Sequence, residues 1–157
     1  MLRPEVNQPK TFKNCYRVIF SDGNLLTRSS DRIFAPFDDH DCRQYSLVYE
    51  REIFIGYWND IPCFSCEIDE NLVDHDTFQS VSLYKVLGHV EESLFLLIGQ
   101  AFQILCWSID HQFCGKCGSK TIPHEHERAM CCNICNSQVY PRISPCVIVL
   151  ITKGEKC

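Results

Sequence analysis

A chain of 157 residues, 45% hydrophobic and 22% charged, is long enough to bury a core and too mixed for a disordered, collagenous or low-complexity protein. Its formal net charge of −5 argues against a general nucleic-acid binder. The charge is uneven, because residues 112–157 hold six Lys/Arg against three Asp/Glu, a net of +3 that makes this end the better face for an anion.

The stretch MLRPEVNQPKTFKN at the start has no apolar core of the secretory kind. The twelve cysteines therefore read as reduced thiols or metal ligands of a cytoplasmic protein, not as a disulfide framework. Five runs then carry the β-branched and aromatic bias of strands: 16–20 (YRVIF), 32–37 (RIFAPF), 45–50 (YSLVYE), 52–58 (EIFIGYW) and 63–68 (CFSCEI), with Leu25-Leu26 as a further short one. Asp22-Gly23, Asn59-Asp60 and prolines punctuate them. The expectation is a mainly antiparallel sheet, with 38–43 (DDHDCR) as a polar loop.

From residue 77 the apolar spacing becomes helical, which predicts helices over 77–89 and 91–109 that cover one face of the sheet. Asp76 or Thr77 can cap the first, and Glu91-Glu92 suit the first turn of the second. The apolar run 94–107 is shorter than a membrane span and contains Gln100 and Gln103, so it reads as a core helix. The fold class is α+β.

After Asp110 the chain turns to cysteine pairs. Zn2+ takes four soft ligands in a tetrahedron, and a Cys-x2-Cys knuckle presents two thiolates from one tight turn. Cys114-Gly-Lys-Cys117-Gly is one knuckle, with Gly115 and Gly118 giving the turn its freedom. Of Cys131, Cys132 and Cys135, only Cys132-Asn-Ile-Cys135 repeats the spacing. In an alternating strand Cys131 faces away. Cys114, Cys117, Cys132 and Cys135 therefore form a closed structural zinc site, with no position left for a catalytic water. At 146–151 the run CVIVLI has the character of a buried strand.

Taken in order, HQFCGKCG (111–118), ERAMCCNIC (127–135) and VYPRISPCVIVLI (139–151) closely resemble the NADH pyrophosphatase family of Nudix hydrolases. The resemblance implies a Nudix-like domain without catalytic box over 1–110, a zinc ribbon over 111–143, and the start of a truncated Nudix domain over 144–157. It implies the same four zinc ligands, one Zn2+ per chain, and Mg2+ or Mn2+ in the missing Nudix domain. The family cleaves NAD(H) to nicotinamide mononucleotide and AMP, and some members remove NAD caps from RNA. A homodimer is implied too.

By the same resemblance, Glu127 matches a dinucleotide-contacting glutamate and Tyr140 an aromatic that lies against a substrate ring. A family arginine on the first helix maps to Lys85, which keeps the charge but lacks the planar fork that grips phosphate. Nudix catalysis needs G-x5-E-x7-R-E-x-x-E-E, whose carboxylates hold the activating metal. The chain has no such box; its one Arg-Glu pair, Arg51-Glu52, lies in a strand-like run. A fragment that is inactive alone is expected. The alternative is a non-catalytic zinc-ribbon module that binds RNA or protein through the basic end.

Blander readings apply elsewhere. Cys63-Phe-Ser-Cys66 has metal or redox spacing but no partner knuckle, and reads as two ordinary thiols. His124 and His126 read as part of a solvated ribbon loop.

Overall fold

The computed structural model describes residues 2–29, 34–142 and 147–151. Seven strands form one sheet: β1 (Leu2–Pro4), β2 (Tyr16–Ser21), β3 (Asn24–Arg28), β4 (Phe37–Asp38), β5 (Arg51–Trp58), β6 (Ile61–Glu67) and β7 (Phe78–Val81). The order is β1-β5-β6-β2-β3-β7, with β4 also on β2. The sheet is mixed, because β2 and β6 run parallel while the remaining pairs are antiparallel.

Two hairpins follow directly from turn chemistry. Asp22-Gly23 joins β2 to β3 and Asn59-Asp60 joins β5 to β6, and all four residues have positive φ, as two-residue hairpin loops that follow the sheet's twist require. At Gly56 in β5 the pairing register shifts and φ is +134°, and a Cβ there would stand 2.2 Å from the Arg3 carbonyl oxygen. Only glycine lets β1 approach this closely.

The helices are α1 (Asp39–Gln44), α2 (Leu83–Val86) and α3 (Glu92–Asp110). Strand alternation splits the core in two. Val18, Phe20, Ile55 and Cys63 face α3, which buries Leu94, Leu97, Ile98, Ala101 and Leu105 against them. Ile19, Leu26, Phe54, Phe64 and Cys66 face the other way, toward Tyr45, Leu47 and Tyr49. The Ser65 hydroxyl donates to the Ala101 carbonyl at 2.9 Å and ties sheet to helix. By length and hydropathy α3 could cross a membrane; its apolar stripe instead fills the first core layer.

Several expectations are corrected. One long helix, not two, covers the sheet: 78–81 is the edge strand β7, paired with β3, and α2 has a single turn before Gly88 at φ +79°. Apolar residues at 81, 83, 86, 87 and 90 fit either period, and the open edge of β3 decides for strand. Residues 38–43 are not a loop: Asp38 ends β4 and caps α1 in a reciprocal Asp38/Asp41 box, and 39–43 are most of α1. Residues 45–50 form no strand; Ser46 has φ +51°, and the segment lies across the second core face. Residues 147–151 show no regular structure and are exposed, because a run apolar on both faces is a stable strand only inside a sheet. The rest of the expected final strand, and part of the 32–37 run, lie outside the described residues.

The charges of the two-sided sheet are locally paired. Arg17 on β2 donates to Asp39 at 2.6 Å and Glu52 at 2.7 Å, and Arg51 donates to Glu67 at 3.1 Å. The Arg51-Glu52 pair thus sits on a strand and serves cross-strand and cross-layer pairing.

Candidate functional site

The cysteine cluster is built from two matching turns. In the first, the Gly118 amide donates to the Cys114 carbonyl at 2.8 Å and the Cys114 amide to the Ser119 carbonyl at 2.8 Å. In the second, Asn136 donates to Cys132 and Cys132 to Ser137, each at 2.9 Å. The residue four positions after each first cysteine has positive φ, +74° at Gly118 and +55° at Asn136. Asparagine tolerates that region better than other non-glycine residues. Gly118 therefore carries the freedom the knuckle needs, while Gly115 has no positive φ.

Three short strands hold the turns together: β8 (Ile122–Pro123), β9 (Met130–Cys131) and β10 (Gln138–Val139) in the order β10-β9-β8. Cys132 follows β9 directly, and Cys131 stays outside the cluster.

The sulfurs of Cys114, Cys117, Cys132 and Cys135 lie within 4.8 Å of one another, with Sγ–Sγ distances of 3.5 Å for Cys114–Cys135 and 3.4 Å for Cys117–Cys132. Four thiolates about 2.3 Å from one Zn2+ in a tetrahedron stand about 3.8 Å apart. The donor set and its spacing fit Zn2+.

The electrostatics agree. Amides of Lys116 and Cys117 hold the Cys114 thiol below its ordinary value, and the Ser119 hydroxyl and amide lower Cys117 to about 6. For Cys135 the Ser137 amide lowers, yet burial and hydrogen bonds with the other three cysteines outweigh it and push the thiol up to about 12. Three neighbouring sulfurs resist a fourth negative charge, and a dication removes that resistance.

Glu127 and Tyr140 meet beside this cluster. The Tyr140 hydroxyl donates to Glu127 Oε2 at 2.5 Å, with Gln138 Oε1 at 3.3 Å as a second neighbour. Glu127 is exposed and Tyr140 is 47% exposed, so a carboxylate oxygen and a ring face both remain open to a ligand. The turn that carries Glu127 is set by His124, whose Nδ1 accepts from the amides of Glu127 at 3.0 Å and His126 at 3.2 Å. His124 is therefore a loop organiser, and neither histidine joins the sulfur cluster.

Arg128 joins ribbon to sheet. Its guanidinium donates to the Phe54 carbonyl at 2.9 Å and the Glu5 carbonyl at 2.5 Å, and burial lowers its pKa. Sequence reading missed this residue, because backbone carbonyls as partners leave no pattern in side-chain identities.

Lys85 stands apart. It is exposed on α2, and among the described residues it makes no hydrogen bond or ion pair with Glu127 or Tyr140. Cys63 and Cys66 are fully buried on opposite core layers, so they share no site, and burial raises the Cys63 thiol to about 12. A second acidic group, Asp38, His40 and Asp41, is the cap of α1.

Comparison with known proteins adds two family matches: an NADH pyrophosphatase-like rudimentary NUDIX domain over residues 15–107 and the NADH pyrophosphatase zinc ribbon domain over 109–140. Among curated relatives, the chain is 30% identical to the NAD-capped RNA hydrolase NudC of Pseudomonas syringae pv. tomato, across 96% of this chain and 56% of the relative. It is 43% identical to NudC of Deinococcus radiodurans over 70% of this chain and 39% of the relative, and 46% identical to NudC of Pseudomonas putida over 65% and 37%. The chain thus spans about half, or less, of the length of the curated relatives it matches. With its rudimentary NUDIX-like sheet and four-cysteine ribbon in succession, it belongs to the NADH pyrophosphatase family.

Proposed function

We propose that this chain supplies the zinc-clamped, ligand-contacting portion of an NAD(H) diphosphatase that hydrolyses the pyrophosphate of NAD(H) to nicotinamide mononucleotide and AMP. NAD-capped RNA is proposed as a substrate of the same site, by analogy with the relatives named for it. The observation that carries the reading is the hydrogen bond between Tyr140 and Glu127 at the edge of the ribbon. A tyrosine ring face suits stacking on a nicotinamide or adenine ring, and a carboxylate suits ribose hydroxyls.

The roles divide by chemistry. Cys114, Cys117, Cys132 and Cys135 would hold Zn2+, which stabilises the ribbon and with four protein ligands offers no open position for water. The 157 residues contain no G-x5-E-x7-R-E-x-x-E-E, so hydrolysis with Mg2+ or Mn2+ is assigned to a Nudix domain whose first residues are 144–157. Lys85, exposed on α2, is proposed as a further substrate contact through its positive charge.

A homodimer and a reducing, cytoplasmic setting belong to the same proposal. The exposed Tyr84 and Leu87 beside Phe95 and Phe102 support the first, and ten cysteines without a disulfide among the described residues support the second.

The test is product analysis. A protein that extends this chain through such a box should release AMP from NADH with Mg2+ or Mn2+, and the 157 residues alone should not. Enzyme-like AMP release by the 157 residues would contradict the division of roles.

A further inference from the structure

A groove of about 550 Å3 runs between α3 and the chain that leaves the ribbon, lined by Ser93, Gln100, Gln103, Trp107, Arg128 and Arg142 together with apolar side chains. Among the described residues no carboxylate lines it. In a protein of net charge −5, a groove with two guanidiniums and no acid is a local reversal of sign that attracts anions.

Both cations have donors to spare. Arginine carries five N–H donors; Arg128 engages one with Phe54 and one with Glu5, and among the described residues it pairs with no carboxylate. Arg142 is exposed and makes no hydrogen bond or ion pair among them. Trp107 adds an independent sign: its Nε1 is buried without an acceptor among the described residues.

The groove is also continuous with the ligand site. Arg128 and Trp107 line both it and a neighbouring cavity of about 210 Å3 that Glu127 borders. Tyr140, Pro141 and Arg142 are consecutive, so Tyr140 and Arg142 lie at most about 7 Å apart along the chain. A ligand held at Tyr140 that continues as a strand passes Arg142.

We propose that this groove holds single-stranded RNA next to its dinucleotide cap, with Arg128 and Arg142 each meeting a phosphate. The proposal rests on the dinucleotide reading above. An acidic peptide would satisfy the guanidiniums equally well, but Gln100 and Gln103 can both donate to and accept from base edges, Trp107 offers an aromatic surface, and the path leads from a nucleotide site.

The experiment uses the zinc-loaded chain with Trp58→Phe, so that Trp107 is the one tryptophan left of two. The Trp58 indole N–H has no partner among the described residues, so its loss is mild. Titration with a short single-stranded RNA should quench Trp107. The affinity should fall with salt at a log–log slope of about −1.4, the value for two neutralised phosphates on a single strand. Arg142→Ala, at an exposed position that folding does not need, should reduce the slope to about −0.7.

Unchanged slope and affinity in Arg142→Ala, or RNA binding without quenching, overturns the proposal. So does an acidic peptide that competes as well as RNA, or inorganic pyrophosphate that quenches while RNA does not. NADH is titrated in parallel. RNA binding as described without NADH binding would leave the groove and remove the dinucleotide reading; NADH binding without RNA binding would do the reverse.

Discussion

The Tyr140 hydroxyl donates to the Glu127 carboxylate at 2.5 Å across the ribbon, thirteen residues apart in sequence. The hydrogen bond to Glu127 holds the Tyr140 phenol above its ordinary value of 10.0. A raised folded-state pKa means that the contact's stabilising effect is complete below the unfolded value and is lost as pH rises through the folded one. Burial raises the Tyr49 phenol as well, so ultraviolet titration of tyrosinate in a Tyr49→Phe background should show one phenol ionising above the ordinary value, which returns toward it in Glu127→Gln. An identical titration curve in that variant would remove the contact.

The metal cluster makes a sharp distinction among five neighbouring cysteines. Zinc should bind at roughly one equivalent per chain, and Cys132→Ser or Cys135→Ser should abolish it, whereas Cys131→Ser keeps it. Metal analysis after gel filtration reads this directly. Loss of zinc in Cys131→Ser would mean that the wrong four sulfurs have been assigned.

Gly56 predicts a backbone-limited variant. A Cβ there meets the Arg3 carbonyl at 2.2 Å with φ at +134°, so Gly56→Ala should cost about 3 kcal/mol by urea denaturation. Gly23→Ala, with φ +73° and open space around it, should cost about 1 kcal/mol. Equal costs would show that β1 does not pack on β5 this closely.

Buried thiols should be silent. Burial holds Cys63 up to about 12 against the lowering effect of the Phe64 backbone, and burial likewise raises Cys66. Neither should react with iodoacetamide in the native protein near neutral pH, and both should react once it is unfolded. Prompt native labelling at either position would place it on the surface.

The sequence was most legible where local chemistry decides. Asp22-Gly23 and Asn59-Asp60 announced turns between strands because so few residues accept positive φ in succession, and the Cys-x2-Cys spacing picked out a four-sulfur cluster that the structure brings together. It was least legible where tertiary partners decide. Phe78–Val81 became a strand because β3 offers an unpaired edge, and the periodicity of 77–90 could not reveal that edge. The box Asp38-x-x-Asp41 was a readable helix start, yet α1 has no apolar stripe to draw attention to it. In the candidate site, the cysteines were named by spacing, Glu127 and Tyr140 by resemblance, and their contact by neither. Arg128 left no signal, since the groups it holds are carbonyls common to every residue.

The central claim is that the zinc-clamped ribbon presents Glu127 and Tyr140 as one ligand site. Calorimetric titration of NADH into the zinc-loaded chain tests it most directly, with Glu127→Gln and Tyr140→Ala alongside. A lost hydrogen bond to a charged group costs about 1.5–3 kcal/mol, so each variant should bind roughly tenfold or more weakly, and metal-stripped protein should lose binding with both. NADH binding of unchanged affinity in both variants would contradict it.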